Sequence, residues 1–116
     1  MDYSQLSDFE INKRVGIALG KDLMPDDCQD FGLSGLPEVM LRNGDFKDYC
    51  NDPNDAWPII ESKLICLAAD VFAEPHDGGK WVAQPAYGWE KERVRSDNPL
   101  RAAMIVFLMM QDAKHA

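Results

Sequence analysis

The stretch Ala102–Met110, nine apolar residues in a row, constrains this chain more than any other feature. A membrane-spanning helix needs about 20 such residues, so this run reads as a helix buried on most sides. Asn98 offers a side-chain cap, and Pro99 suits the first helical position, where its missing N–H costs nothing. The helix is predicted to run to about Ala113 and to form the spine of the core. The rest of the chain must supply what covers it. At 116 residues and 46% hydrophobic, the chain has apolar surface enough for one domain over residues 1–116, and it is no disordered acidic tail.

Two more helices follow from local signals. Ser7 and Glu10 have capping-box spacing, Leu6 and Ile11 stand where a hydrophobic staple puts them, and Asp8 sits at the positive end of the dipole. Ile11, Val15, Ala18 and Leu19 recur at helical spacing up to Gly20, a plausible stop, so a helix is expected over 8–19. The next is expected over 55–63, with Trp57, Ile60 and Leu64 as its apolar stripe. Asp52 or Asn54 can cap it, and Asn54 is favoured because Pro58 then stays in the first turn.

Strands are expected in pairs. Val39–Arg42 and Phe46–Tyr49 flank Asn43-Gly44-Asp45, a hairpin signal. Ile65–Ala73 and Lys80–Ala86 flank a turn-rich linker, with Pro85 ending the second arm or placing it at an edge. Residues 21–37, punctuated by Pro25, Gly32, Gly35 and Pro37, read as a long loop with room for a short helical turn. Residues 87–97 read as a polar loop carrying aromatics. The class is α+β: a small antiparallel sheet of about four strands, two hairpins joined, packed with three helices in the order α-β-β-α-β-β-α.

Charge narrows the partners. The net charge is −8, and it is uneven: residues 1–57 hold twelve acids and five bases, the remainder eight and seven. Duplex DNA is not an expected partner, because phosphate binding needs a basic stripe and none is present. The plain reading is a solvated acidic face; the sharper one is that Asp22, Asp26, Asp27 and Asp30 meet a basic protein. Three cysteines, Cys28, Cys50 and Cys66, show no C-x-x-C spacing, so neither a disulfide scaffold nor a structural zinc site is expected. They read as reduced thiols in a cytosolic protein, with Cys66 in the core. The start Met1-Asp2-Tyr3-Ser4-Gln5 lacks the basic and apolar regions of a signal peptide.

Three segments, MDYSQLSDFEINKRV at 1–15, NDPNDAWPII at 51–60 and NPLRAAMIVFL at 98–108, together resemble the NinX-type proteins of bacteriophages and enterobacterial prophages. They cover about a third of the chain. The resemblance implies a phage or prophage accessory protein in the cytoplasm of a bacterial host. It carries no catalytic residues over, because the family has none assigned.

Chemistry on the chain is sparse. His76 neighbours Asp77 in a predicted turn and His115 is one residue from the end; sequence adjacency alone is not acid–base geometry. No nucleophile elbow or phosphate loop is present, and Asp26, Asp27 and Asp30 lack the ligand spacing of a calcium loop. No metal, cofactor or catalytic group is therefore expected, and an enzyme is the least favoured class. One ligand-site candidate stands out. Arg93, Arg95 and Arg101 surround the predicted start of the last helix, with Trp81, Tyr87 and Trp89 just before it. Free N–H groups and arginines attract phosphate, and aromatics stack on bases, so a nucleotide or phosphorylated signal is the ligand expected there. Against this, Trp81 and Trp57 read equally as core anchors, Arg101 as a snorkelling helix residue, and Arg93 and Arg95 as counter-charges to Glu90 and Glu92. The function expected first is binding of a host or phage macromolecule without catalysis. Self-association is a further expectation, from Met-rich surface on the last helix.

Overall fold

The computed structural model describes residues 2–30, 33–86 and 92–114. Its helices begin where the capping residues put them. α1 spans Asp8–Ala18, and the Ser7 hydroxyl accepts from the Glu10 N–H at 3.2 Å. It ends in a Schellman motif: Lys21 N–H donates to Gly16 O and Gly20 N–H to Ile17 O, both at 2.9 Å. That closure needs a left-handed residue, which Gly20 supplies at φ 77°.

α2 spans Pro53–Ser62. Its cap is Asp52, not Asn54: the Asp52 carboxylate accepts from the Asn54 N–H at 2.9 Å. Pro53 takes the first position, and Pro58 falls in the second turn, where it has no N–H to give the Asn54 carbonyl. The solvent makes up that loss, because Asn54 and Pro58 are both exposed. The buried stripe is Ala56, Ile59 and Ile60; Trp57 is 56% exposed and Leu64 55%. The expected stripe through Trp57 and Leu64 is thus one position out of phase, and Trp57 is no core anchor.

Among the described residues, five strands form two separate sheets rather than one joined sheet. β1 (Val39–Met40) pairs antiparallel with β2 (Phe46–Lys47). β3 (Ile65–Ala69), β4 (Trp81–Pro85) and β5 (Val94–Ser96) form the second sheet with β4 in the middle. β5 lies inside the expected polar loop 87–97. It pairs only with Trp81–Ala83, which leaves Pro85 beyond the paired length, where its missing donor is harmless. Gly79 precedes β4 with its backbone against Ser96; a Cβ there would lie 2.2 Å from the Ser96 carbonyl carbon.

α3 spans Pro99–Lys114 and lies on the three-stranded sheet, with α1 and α2 on its other sides. This sandwich buries every residue from Ala102 to Leu108. Each of its large apolar side chains contributes about 1.5–3 kcal/mol through burial. Met104 is fully buried and Met109 and Met110 pack against the core, so the last helix leaves no broad methionine surface for self-association. The cysteine expectation is reversed: Cys50 is buried and Cys66 exposed. Cys66 stands on the outer face of β3, opposite Gln84, because its neighbours Ile65 and Leu67 take the inner one.

Candidate functional site

The three helix N-termini meet at residues 48–52, and polar side chains join them. Asp8, the first residue of α1, pairs with Arg101 of α3 at 2.7 Å and accepts from Asn51 at 3.2 Å. Arg101 also donates to the backbone carbonyls of Leu6 and Ser4, at 2.8 and 3.2 Å. Asn98 caps α3 with its oxygen, accepting from the N–H groups of Leu100 and Arg101, and donates through its amide to Cys50 O at 2.7 Å. Asn12, wholly buried, donates to Pro37 O and Asp48 and accepts from the Cys50 N–H, all within 3.0 Å. Negative charge at Asp8 faces the positive ends of helix dipoles. Burial pushes the neighbouring Cys50 thiol up, so it stays protonated. The three segments that carry the family resemblance are those that converge at this joint.

The sequence-predicted ligand cluster is not assembled in one place. Arg101 is engaged at the joint, and the α3 end is capped by Asn98. Arg95 lies on β5 opposite Val82, on the outer face; Trp81 is on the other face, opposite Ser96. Arg95 pairs with Asp70 at 2.8 Å, and this bond holds the Asp70 carboxyl below the usual range. Arg93 is exposed and lines a shallow outer-face cavity of about 240 Å³ with Cys66, Ala68, Val82 and Gln84. Tyr87 and Trp89 lie outside the described residues.

The acidic segment has a defined shape. Residues 22–24 run beside β1: Leu23 bridges Leu41, Met24 N–H donates to Met40 O at 3.0 Å and Arg42 N–H to Asp22 O at 2.9 Å. The side chain of Gln29 then completes the ladder. Its oxygen accepts from Met40 N–H at 2.8 Å, and its amide donates to Met40 O at 2.9 Å and Met24 O at 3.0 Å. A buried amide of the right length thus pins a loop that has no strand of its own. Asp26 pairs with Lys13 at 2.8 Å and Asp22 with Arg42 at 3.2 Å. Asp30 accepts from the backbone and hydroxyl of Ser34, which lowers its pKa. Asp27 is exposed, as are Leu33 at 88% and Leu36 at 59%.

Sequence reasoning missed Asn12 and Gln29. The signal for Asn12 was visible: an amide on the apolar face of α1, between Ile11 and Val15. Gln29 carried no local signal. His76 is exposed and lies 3.4 Å from Asp77. Among the described residues, no group of three or more His, Cys, Asp or Glu is placed to hold a metal, and no helix is long and apolar enough to cross a membrane.

Fold and joint define a small α+β protein built on one buried helix. The chain belongs to the bacteriophage P22 NinX family, whose model matches residues 2–111. No curated protein and no solved structure matches it.

Proposed function

We propose that the chain is a non-catalytic phage accessory protein, acting in the cytoplasm of the bacterial host by binding a basic host or phage macromolecule through its acidic segment. The observation that carries this reading is the pinned loop. Gln29 holds residues 22–30 against β1 while Asp27, Asp30, Leu33 and Leu36 face solvent. A preset array of charge beside apolar side chains suits recognition, since charge selects and speeds the encounter and apolar burial holds it. Asp22 and Asp26 are paired only at the surface, where such pairs are worth little and exchange readily. The test is capture from host lysate with the immobilised chain, identification of what is captured, and repetition with Asp22→Asn, Asp27→Asn and Asp30→Asn combined. Specific capture should fall about tenfold or more, and should weaken as salt rises. Capture indifferent to both would overturn the reading.

A second reading rests on Arg93, whose guanidinium makes no hydrogen bond or ion pair among the described residues and faces the outer-sheet cavity. An anionic, nucleotide-like ligand is the chemistry it fits, with Asp70 beside it restricting where negative charge can sit. Thermal-shift titration with linear and cyclic nucleotides, in the parent and Arg93→Ala, decides it. A rise in Tm lost on substitution supports it, and no rise with any nucleotide removes it.

A further inference from the structure

We propose that the free edge of β3 pairs with β3 of a second copy of this chain, joining two three-stranded sheets into one. β3 is an edge strand, since the sheet order is β3-β4-β5. The register shows which backbone groups it leaves open. Asp70 N–H donates to Lys80 O at 2.7 Å and Ala86 N–H to Leu64 O at 2.8 Å. In an antiparallel ladder such positions recur every second residue. Residues 64, 66, 68 and 70 therefore turn their backbone toward β4, and Ile65, Leu67 and Ala69 turn theirs outward. No other described residue bonds to them. Natural edge strands are guarded by charge, proline or a bulge. Ile65-Cys66-Leu67-Ala68-Ala69 has none of these.

The flanks of this edge complement one another under a two-fold axis. Antiparallel pairing centred on Leu67 sets Ile65 across from Ala69 of the second copy, and Leu64 across from its Asp70. Lys63 then stands at the end of the pairing near Asp70 of the second copy, whose carboxylate its own Arg95 already holds at 2.8 Å, so no like charges are forced together along the edge. Val71 and Phe72, 83% and 87% exposed in the turn that follows Asp70, lie at the end of the edge that this register sets beside the half-exposed Leu64 of the other copy. One register thus satisfies backbone and apolar surface together. An isologous contact of this kind closes on itself and does not propagate.

The register also yields the test. Cys66 and Ala68 of the second copy form a non-hydrogen-bonded pair. Such pairs have Cα atoms about 4.5 Å apart, within the span of roughly 4.4–6.8 Å that a disulfide bridges. In a Cys28→Ser background, Ala68→Cys should give a covalent dimer on mild oxidation. The same variant carrying Cys66→Ser should not, because the two introduced thiols sit diagonally. Sedimentation should show a concentration-dependent dimer in the parent. Ala69→Pro removes one outward N–H and no inward bond, and should raise the dimer dissociation constant about tenfold or more. If Ala69→Pro fails to fold, the disulfide from Cys66 to position 68 of the other copy decides alone. A parent monomeric at every concentration, or a dimer that neither forms the bridge nor responds to Ala69→Pro, overturns the proposal. So does protection of the 65, 67 and 69 amides that arises only with a different protein.

Discussion

Asn12 and Gln29 are both buried amides, yet they hold the molecule in different ways. Asn12 sits inside α1 and joins three strangers in sequence: Pro37, Asp48 and Cys50. Gln29 sits in a loop and joins that loop to one strand, through both polar atoms of Met40 and the carbonyl of Met24. The first lies where all three helices begin, so its loss is felt by the whole fold. The second lies at the margin, and its loss is felt by the acidic segment it positions. A saturated polar group at the centre supports global stability, while the same chemistry at the margin shapes one acidic loop.

The difference can be broken at either end. Asn12→Ala should cost about 3 kcal/mol, since it removes the amide's bonds and leaves the Cys50 N–H buried without a partner. Against a total of about 5–15 kcal/mol for a domain of this size, Tm should fall by roughly 10–15 °C. Thermal and urea unfolding check this, and a fall of only a degree or two would show that the joint is not central. Gln29→Ala should cost about 1–2 kcal/mol and act locally. Hydrogen exchange should quicken over residues 22–42 and leave the α3 amides unchanged. Equal loss across both regions would erase the contrast.

The smallest effect is on alkaline stability. Tyr3 and Tyr49 are both pushed up to about 12 from an ordinary value near 10, chiefly by burial, with Asp112 adding to Tyr3 and Asp55 to Tyr49. The folded state therefore holds these protons longer than the unfolded one. Stability is whole below about pH 10 and is lost as pH climbs toward 12. The two tyrosines differ in one respect that mirrors the amides. The Tyr3 hydroxyl donates to Asp112 on α3, whereas the buried Tyr49 hydroxyl has no partner among the described residues. Tyr49→Phe should leave stability at pH 8 nearly unchanged and flatten the alkaline fall, while Tyr3→Phe should lower stability at pH 8 as well. Urea midpoints from pH 8 to 11 separate the two.

Features governed by neighbours in sequence are legible in it. Ser7, Pro53, Asn98 and Pro99 act within a turn of the helices they start, and Gly20 closes α1 by letting its own N–H and that of Lys21 reach carbonyls three and five residues back. Features governed by distant partners are not. β5 reads as polar loop because its short run, Val94-Arg95-Ser96, becomes a strand only beside β4. Asn54 looks the better cap for α2 because Pro58 argues for it locally, yet the exposed turn tolerates Pro58 and Asp52 starts the helix. The arginines look like one cluster because they are close in sequence; strand alternation and the pull of Asp8 and Asp70 send them apart.

The amino-acid order alone determined that this chain is of the α+β class with a buried last helix, because caps, turns and apolar runs act over a few residues. The tertiary structure alone decided that the hairpins stay in separate sheets, that Cys50 rather than Cys66 is buried, and that β3 keeps an open edge. Those outcomes depend on which face each element turns toward α3, and the identity of that neighbour is written nowhere in the local sequence.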